Sequence, residues 1–159
     1  MARSGKRSQK RKIEPEPVYG NKLLARFINR VMKDGKKTTA RKQVYEALSL
    51  LKTKGHEPLK VFEQALMLVG PKMEVRPRRV GGASYQVPIE VRGERKISLA
   101  TRWIIEAAKK RSSKDYKSFA EKLAAEIGDI LQNQGDAIRK RDTIHRMADA
   151  NRAFAHFRW

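Results

Sequence analysis

The sequence predicts a mainly α-helical protein, in which one compact six-helix domain carries a protruding two-stranded antiparallel β-ribbon and a disordered basic N-terminal arm. Apolar residues recur at helical spacing along most of the 159 residues, and 40% hydrophobic residues suffice for one modest core. The spacing changes to two only once, at about residues 73–91. We therefore expect a basic arm and linker over residues 1–18 and a single helical domain over residues 19–159.

The arm reads MARSGKRSQKRK and contains no acidic residue and no apolar residue beyond Met1 and Ala2. It cannot bury enough surface to fold alone, so we expect it to become ordered only on an anionic partner. Its basic residues are Arg3, Lys6, Arg7, Lys10, Arg11 and Lys12. Pro15 and Pro17 then hold an extended linker into the first helix.

The first helix begins at about Asn21 and buries one apolar stripe. The opposite face carries a row of basic residues, namely Lys22, Arg26, Arg30 and Lys33. Such a face is often only a solvated surface, but the net charge of +20 favours phosphate contact. Asp34 and Gly35 are predicted to end the helix as a glycine C-cap. Lys36 and Lys37 then fill an exposed basic corner.

Two further helices precede the ribbon. Thr38 or Thr39 caps the second helix, and Gly55 closes it. Pro58 lies in the first turn of the third helix, which Gly70–Pro71 stops. The inward residues are Ala40, Val44, Leu48 and Leu51 in the second helix, and Val61, Phe62, Ala65, Leu66 and Val69 in the third.

The ribbon consists of two alternating arms that meet at Gly81–Gly82. Pro77 and Pro88 are tolerated because both strands of an isolated ribbon have a free edge. The residues predicted to pack its base on helices are Met73, Val75, Ile89 and Val91. The outer part has nothing to bury, and its arginines, Arg76, Arg78 and Arg79, suit phosphate contact. Tyr85 either stacks on a base or packs against its cross-strand neighbour, and we favour the packing interpretation.

Three more helices follow Gly93. Their apolar faces contain Leu99, Ala100, Trp103, Ile104 and Ala107, then Phe119, Leu123, Ile127 and Ile130, then Ile138, Ile144, Met147, Ala148 and Phe154. Asp136 is predicted to cap the sixth helix. The basic residues assigned to the outside of this region are Arg92, Arg95, Arg102, Lys109, Lys110 and Arg111. Glu63, Glu106 and Glu126 are interpreted as surface carboxylates that are solvated or ion-paired.

The composition indicates a polyanionic partner, since 37 Lys and Arg face 17 Asp and Glu and the pI is about 10.6. Nucleic acid is favoured over a membrane because no apolar run of 18 residues, lipidation signal or signal peptide is found. We expect a cytosolic protein. The absence of cysteine excludes disulfides and cysteine-ligated zinc fingers.

The sequence predicts a binding protein and not an enzyme, with no catalytic residue, metal site or cofactor. His56, His145 and His156 are scattered and are interpreted as surface histidines. No GxxxxGK or GxSxG motif occurs. Two other classes stay open: a DNA-binding architectural protein would dimerise and prefer duplex DNA, and a nuclease would cleave with magnesium.

Four segments make the chain recognisable: KDGKK at 33–37, VFEQAL at 61–66, RRVGGASYQVP at 78–88 and MADANRAFAHFRW at 147–159. In this order they closely resemble the bacterial small-subunit ribosomal protein seven family along nearly the whole chain. The chain departs from the usual family pattern at Pro77 and Ser84, and neither difference removes a charge. The family fold, a helical domain with a protruding ribbon, agrees with the prediction from periodicity.

The resemblance implies a structural constituent of the small ribosomal subunit that binds the 3′ major domain of its rRNA and organises assembly of the head. It implies a position near the exit-site tRNA and the mRNA path, beside proteins of the head and platform, as a monomer within a cytoplasmic ribosome. The resemblance assigns rRNA contact to the arm, the first-helix row, the corner, the ribbon arginines, and Arg92, Arg95, Arg102, Lys109 and Arg111. It implies that the residues on the side of the tRNA exit site are Arg78, Arg79, Gly81, Gly82, Tyr85, Arg152 and Trp159.

Overall fold

The computed structural model describes residues 13–157 other than 54 and 56, so the predicted basic arm, His56 and Trp159 lie outside the described residues. Within that part of the chain, six α-helices, one ribbon and one 3₁₀ helix follow one another. They are α1 (Lys22–Val31), α2 (Lys37–Thr53), α3 (Pro58–Val69), β1 (Met73–Val80), β2 (Ala83–Glu90), α4 (Gly93–Lys110), α5 (Phe119–Leu131), α6 (Asp136–Ala150) and the 3₁₀ helix (Arg152–Phe157). The predicted mainly α-helical fold with a β-ribbon is confirmed.

Helix α5 lies at the centre of the core and packs on α2, α3, α4 and α6. Leu123, Ile127 and Ile130 of its apolar face are fully buried, as the helical spacing predicts, and Phe119 at its start is half-buried. Phe27 of α1 and Phe62 of α3 meet edge to face with ring centroids 5.2 Å apart. Trp103 of α4 is 4% exposed, so the largest side chain of the apolar stripe of α4 is part of the core.

Helix α1 begins as predicted but ends earlier. The Asn21 side-chain oxygen accepts hydrogen bonds from the amides of Leu23 and Leu24, at 2.7 and 3.2 Å. The helix ends at Val31 with Met32 as its C-cap, so the predicted glycine C-cap at residues 34–35 is wrong. Those two residues instead form a tight turn in which both φ angles are positive, 52° and 71°.

Helix α6 also ends before the predicted position. It begins at Asp136 after Gly135 and ends at Ala150, and its C-cap residue Asn151 donates to the Met147 carbonyl through both its backbone and side-chain nitrogens, at 3.2 and 2.7 Å. Phe154, predicted to lie in this helix, belongs to the 3₁₀ helix that follows. Met147, predicted to face the core, is 46% exposed.

The start of α2 also differs from the prediction. This helix begins at Lys37, so Thr38 and Thr39, the predicted caps, lie inside its first turn.

The ribbon turns at Gly81 and Gly82, whose φ angles of 57° and 86° are both positive, as a two-residue type I′ turn requires. It packs on α6 and on the 3₁₀ helix. Val87 is fully buried and Val91 is 8% exposed, whereas Ile89 is only half-buried. The ribbon is therefore buried further toward its tip than the prediction for its base implied, because the 3₁₀ helix packs on β2.

Candidate nucleic-acid interface

A shallow basic groove lies between α1 and the first half of α4. Its cavity of about 300 Å³ is lined by Arg26, Asn29, Arg30, Glu94, Ile97, Ser98 and Thr101. The Arg30 guanidinium donates a hydrogen bond to the Ser98 hydroxyl at 3.2 Å, which ties the two walls together. Arg26 and Arg30 are exposed and line this groove, so two of the four residues of the basic row predicted on the first helix lie here.

A basic corner formed by Lys33, Lys36 and Lys37 follows the end of α1. The amide of Lys36 donates to the carbonyl of Lys33 at 2.9 Å, which closes the tight turn and keeps all three lysines exposed. Lys109, near the end of α4, lines a common cavity with Lys33 and Lys36. Residues of α1 and α4 line both cavities, and we name this groove and corner together the α1–α4 surface.

Two of the predicted rRNA-binding arginines share one buried carboxylate. Glu74 of β1 is 7% exposed and accepts from the Nε atoms of Arg76 at 2.6 Å and Arg95 at 2.8 Å. Both arginine side chains remain about half exposed. The cluster fastens the base of the ribbon to the first turn of α4, and the carboxylate offsets one of its two positive charges.

Further out on the ribbon, the arginines are not ion-paired within the described residues. Arg79 is exposed opposite Ser84, and Arg78 is half-buried opposite Tyr85. The turn glycines project beyond them and are open, since a Cβ atom at either position meets nothing within 4 Å. The bare backbone predicted for the tip is present, while Arg78 is partly covered.

Tyr85 belongs to an aromatic cluster that the sequence did not indicate. Its ring centroid lies 5.2 Å from those of both Phe154 and Phe157 in the 3₁₀ helix. The cross-strand neighbour of Tyr85 is Arg78, and the two aromatic rings from the 3₁₀ helix are further partners that the prediction did not include. The 3₁₀ helix, which packs against β2, also carries the exposed Arg152.

Arg111 does not lie on the outside of the helices as predicted. Its side chain is 17% exposed and is ion-paired with Glu126 at 2.6 Å and with Asp129. Burial by itself lowers the pKa of Arg111, but hydrogen bonds and charge from Asp129 and Glu126 outweigh it and raise the pKa, so the guanidinium stays charged. The predicted surface position of Glu126 is also wrong, since this residue is 1% exposed, and of the two predicted alternatives, solvation or ion pairing, it shows ion pairing.

The Arg111 cluster holds three helices together. The second oxygen of Glu126 accepts from the amide of Ala137 at 3.2 Å, at the start of α6. Gly135 permits this approach, because a Cβ atom there would lie 2.9 Å from that same oxygen. Arg111 follows α4, Glu126 lies in α5 and Ala137 in α6, so the cluster stabilises the helical domain instead of presenting a free cation.

The remaining predicted residues are distributed as follows. Lys22, Arg92 and Arg102 are exposed on their helices or caps. Glu106 pairs with Lys140 at 2.6 Å, and His145 accepts a hydrogen bond from the amide of Lys72 at 3.0 Å, so both have structural partners. No group of three metal-binding side chains occurs in the part of the chain that the structure describes. Among these residues, no helix has the length and apolar character needed to cross a membrane.

The chain matches the family described as "Ribosomal protein S7p/S5e" over residues 3–152. It is also similar to three bacterial proteins named "Small ribosomal subunit protein uS7". The relative from Thermotoga maritima is 56% identical over 155 residues, which cover 97% of this chain and 98% of the relative. Relatives from Caldicellulosiruptor bescii and Thermomicrobium roseum are each 55% identical over 152 residues, covering 95% of this chain and 96% of theirs.

Proposed function

Because the chain belongs to the ribosomal protein S7p/S5e family, we propose that it is a structural component of the small ribosomal subunit that binds the 3′ major domain of the rRNA. The α1–α4 surface is the observation that carries this proposal, since residues of α1 and α4 line both of its cavities and exposed cations border each of them. Membership of a ribosomal protein family confirms the prediction that the protein is a structural, non-enzymatic component. The nuclease and DNA-architectural alternatives have no such support.

The α1–α4 surface and the arm together supply the rRNA contacts in this proposal. Phosphate contacts fix the position of a protein on RNA, and exposed Arg and Lys on a rigid helix pair are suited to that task. The cations that we assign to this contact on the described residues are Lys22, Arg26, Arg30, Lys33, Lys36, Lys37, Arg102 and Lys109. By holding one region of a large RNA, the protein organises assembly of the head of the subunit.

The ribbon tip and the 3₁₀ helix form the second functional surface in this proposal, on the side of the exit-site tRNA and the mRNA path. Their support is that the aromatic cluster joins Tyr85 to the element that carries Arg152. Arg79 and the open turn glycines extend beyond the cluster. A protruding tip of this kind reaches a ligand that the helical domain does not touch.

The proposed rRNA contact predicts a steep dependence of affinity on salt. If six to ten phosphates are neutralised, log affinity for a 3′ major domain transcript falls against log salt with a slope of roughly −5 to −9. Deleting residues 2–12 removes six cations and reduces that slope by a few units, without changing the melting temperature. Filter binding at several salt concentrations measures both slopes. A slope unaffected by the deletion would exclude the arm from the contact, and equal affinity for a transcript of another rRNA domain would overturn the proposal.

Shortening the ribbon is expected to impair translation and not assembly of the subunit. Deleting Arg79, Val80, Ala83 and Ser84 removes two cross-strand pairs and keeps the glycine turn and the facing of every remaining side chain. Subunits carrying this shortened ribbon are expected to assemble normally and to show altered tRNA retention at the exit site or altered reading-frame maintenance. The matched control is Arg79→Ala, which removes the charge at full length. Blocked assembly, or translation that is unchanged in both respects, would contradict the placement of the tip.

A further inference from the structure

A small apolar cavity opens beside the basic corner, where α1, α2, α4 and α5 meet. Its volume is about 240 Å³. Its apolar walls come from Val31, Ala40 and Phe119, which are buried or half-buried. Its polar lining includes three exposed lysines, Lys33, Lys36 and Lys109. An apolar interior surrounded by cations is unlike the rest of the α1–α4 surface, whose shallow groove is lined mainly by polar side chains.

The protein builds this cavity with its own hydrogen bonds. The Gln43 side-chain oxygen accepts from the amide of Ala120 at 3.1 Å, which fixes the start of α5 against α2. The Ser118 hydroxyl accepts from the amide of Glu121 at 3.2 Å and caps α5 next to Phe119. The tight turn at Asp34 sets the positions of the lysines on either side of it. The walls are therefore fixed by contacts that do not depend on a ligand.

We propose that this cavity receives one unpaired nucleobase of the bound RNA while the adjoining phosphates contact the three lysines. The proposal rests on the function proposed above and specifies a site within it. Apolar and aromatic walls suit the flat face of a base, and the lysines suit the charge on either side of it. A simple anion would gain nothing from apolar walls, and an uncharged apolar ligand would gain nothing from three lysines.

The dimensions and the polar groups agree with this occupant. The volume lies below the 300–1,000 Å³ that is typical of pockets for larger ligands, so it suits one ring system. A base inside a duplex is stacked and paired, so only an unpaired nucleotide can enter. Asp34, the one acid among the lining residues, can accept a hydrogen bond from a base N–H. The first-turn amides of α2, including Thr39, favour a phosphate close to the opening.

Thr39 and Thr38 offer a matched pair of variants for the test. Both are exposed in the first turn of α2, but Thr39 lines this cavity and Thr38 lines a different depression. Thr39→Trp fills the cavity without changing any charge, and Thr38→Trp adds the same side chain outside it. We expect Thr39→Trp to bind the 3′ major domain transcript about tenfold or more weakly than the wild type. Its salt slope is unchanged, because no phosphate contact has been removed. Thr38→Trp binds as the wild type does.

A second measurement identifies the base. The chain contains no cysteine, so Thr39→Cys carries a single thiol to which a photo-crosslinker can be attached. Crosslinks are expected on one unpaired nucleotide of the transcript. Removing that base from the transcript weakens binding by the wild type and leaves binding by Thr39→Trp unchanged, because the variant no longer uses it. If Thr39→Trp melts below the wild type, Thr39→Leu takes its place in this comparison.

The possible failures are distinguishable. A wild type that binds the transcript no better than an unrelated RNA overturns the proposed function, and this site with it. A wild type that binds specifically, with a steep salt slope, while Thr39→Trp matches Thr38→Trp overturns the nucleobase site alone. Crosslinks that fall on paired nucleotides, or an abasic position that weakens both proteins equally, have the same meaning.

Discussion

Replacing Trp103 with alanine is expected to lower the free energy of unfolding by about 3–5 kcal/mol, because the side chain is almost fully buried and the helices cannot collapse into the space it leaves. Trp103 is 4% exposed in α4, among apolar residues of the core cluster. Denaturant unfolding followed by circular dichroism measures the change. RNA binding should be lost only under conditions in which the variant unfolds.

Lys140→Ala provides the control for the surface side of the same ring. The Lys140 ammonium lies 5.9 Å from the centre of the Trp103 ring and also pairs with Glu106. Both contacts are partly exposed, so its removal should cost no more than about 1 kcal/mol. A Trp103→Ala protein that melts normally and binds RNA weakly would show that Trp103 is a surface contact, contrary to its burial here.

The burial of Trp103 could be predicted because a single helix contains the whole signal. Its spacing from Ala100 and Ala107 places it on the apolar stripe, and tertiary packing agrees. The ribbon was equally readable, since alternation and a double glycine are local features. The fold class follows from such local patterns, and all of its predicted helices are present.

Partners that are far apart in the sequence could not be predicted in this way. Alternation shows that Tyr85 shares a face with Val87, but it does not show that Phe154 covers that face. The nucleobase cavity is similar, because its walls come from four helices and the turn at Asp34. Its signal in the sequence is only that lysines lie close to apolar residues near the corner, which is common on any amphipathic surface.

The wrongly predicted outside position of Arg111 has a different cause, because the helical spacing does indicate that this residue faces inward. Arg111 follows Ala107 by four residues, and Ala107 is one of the residues predicted to be buried. Glu126 lies three residues after Leu123 and four before Ile130, on the apolar face of α5. Two opposite charges at inward positions of neighbouring helices indicate a buried pair. The general rule that charged residues face outward fails here, because the two charges pair with each other.

Breaking this buried pair gives the second large effect. Arg111→Met removes the cation beside Glu126, which is 1% exposed, and is expected to lower the free energy of unfolding by about 3–5 kcal/mol. The penalty arises because Glu126 keeps its hydrogen bond from Ala137 but loses its counter-charge. Adding Glu126→Gln to Arg111→Met removes the uncompensated charge and should recover part of the loss, with a coupling energy of roughly 0.5–3 kcal/mol.

The control for charge alone is Arg139→Met, because Arg139 pairs with Asp136 on the surface, where the two side chains are 81% and 52% exposed. That variant should change stability by less than about 1 kcal/mol.

The salt dependence of RNA binding distinguishes the phosphate contact predicted for Arg111 from the sequence and the internal ion pair seen in the structure. If its contribution is internal, the folded Arg111→Met protein keeps the wild-type salt slope. A slope reduced by about one unit would mean that Arg111 neutralises a phosphate, and that its pairing with Glu126 opens when the RNA binds.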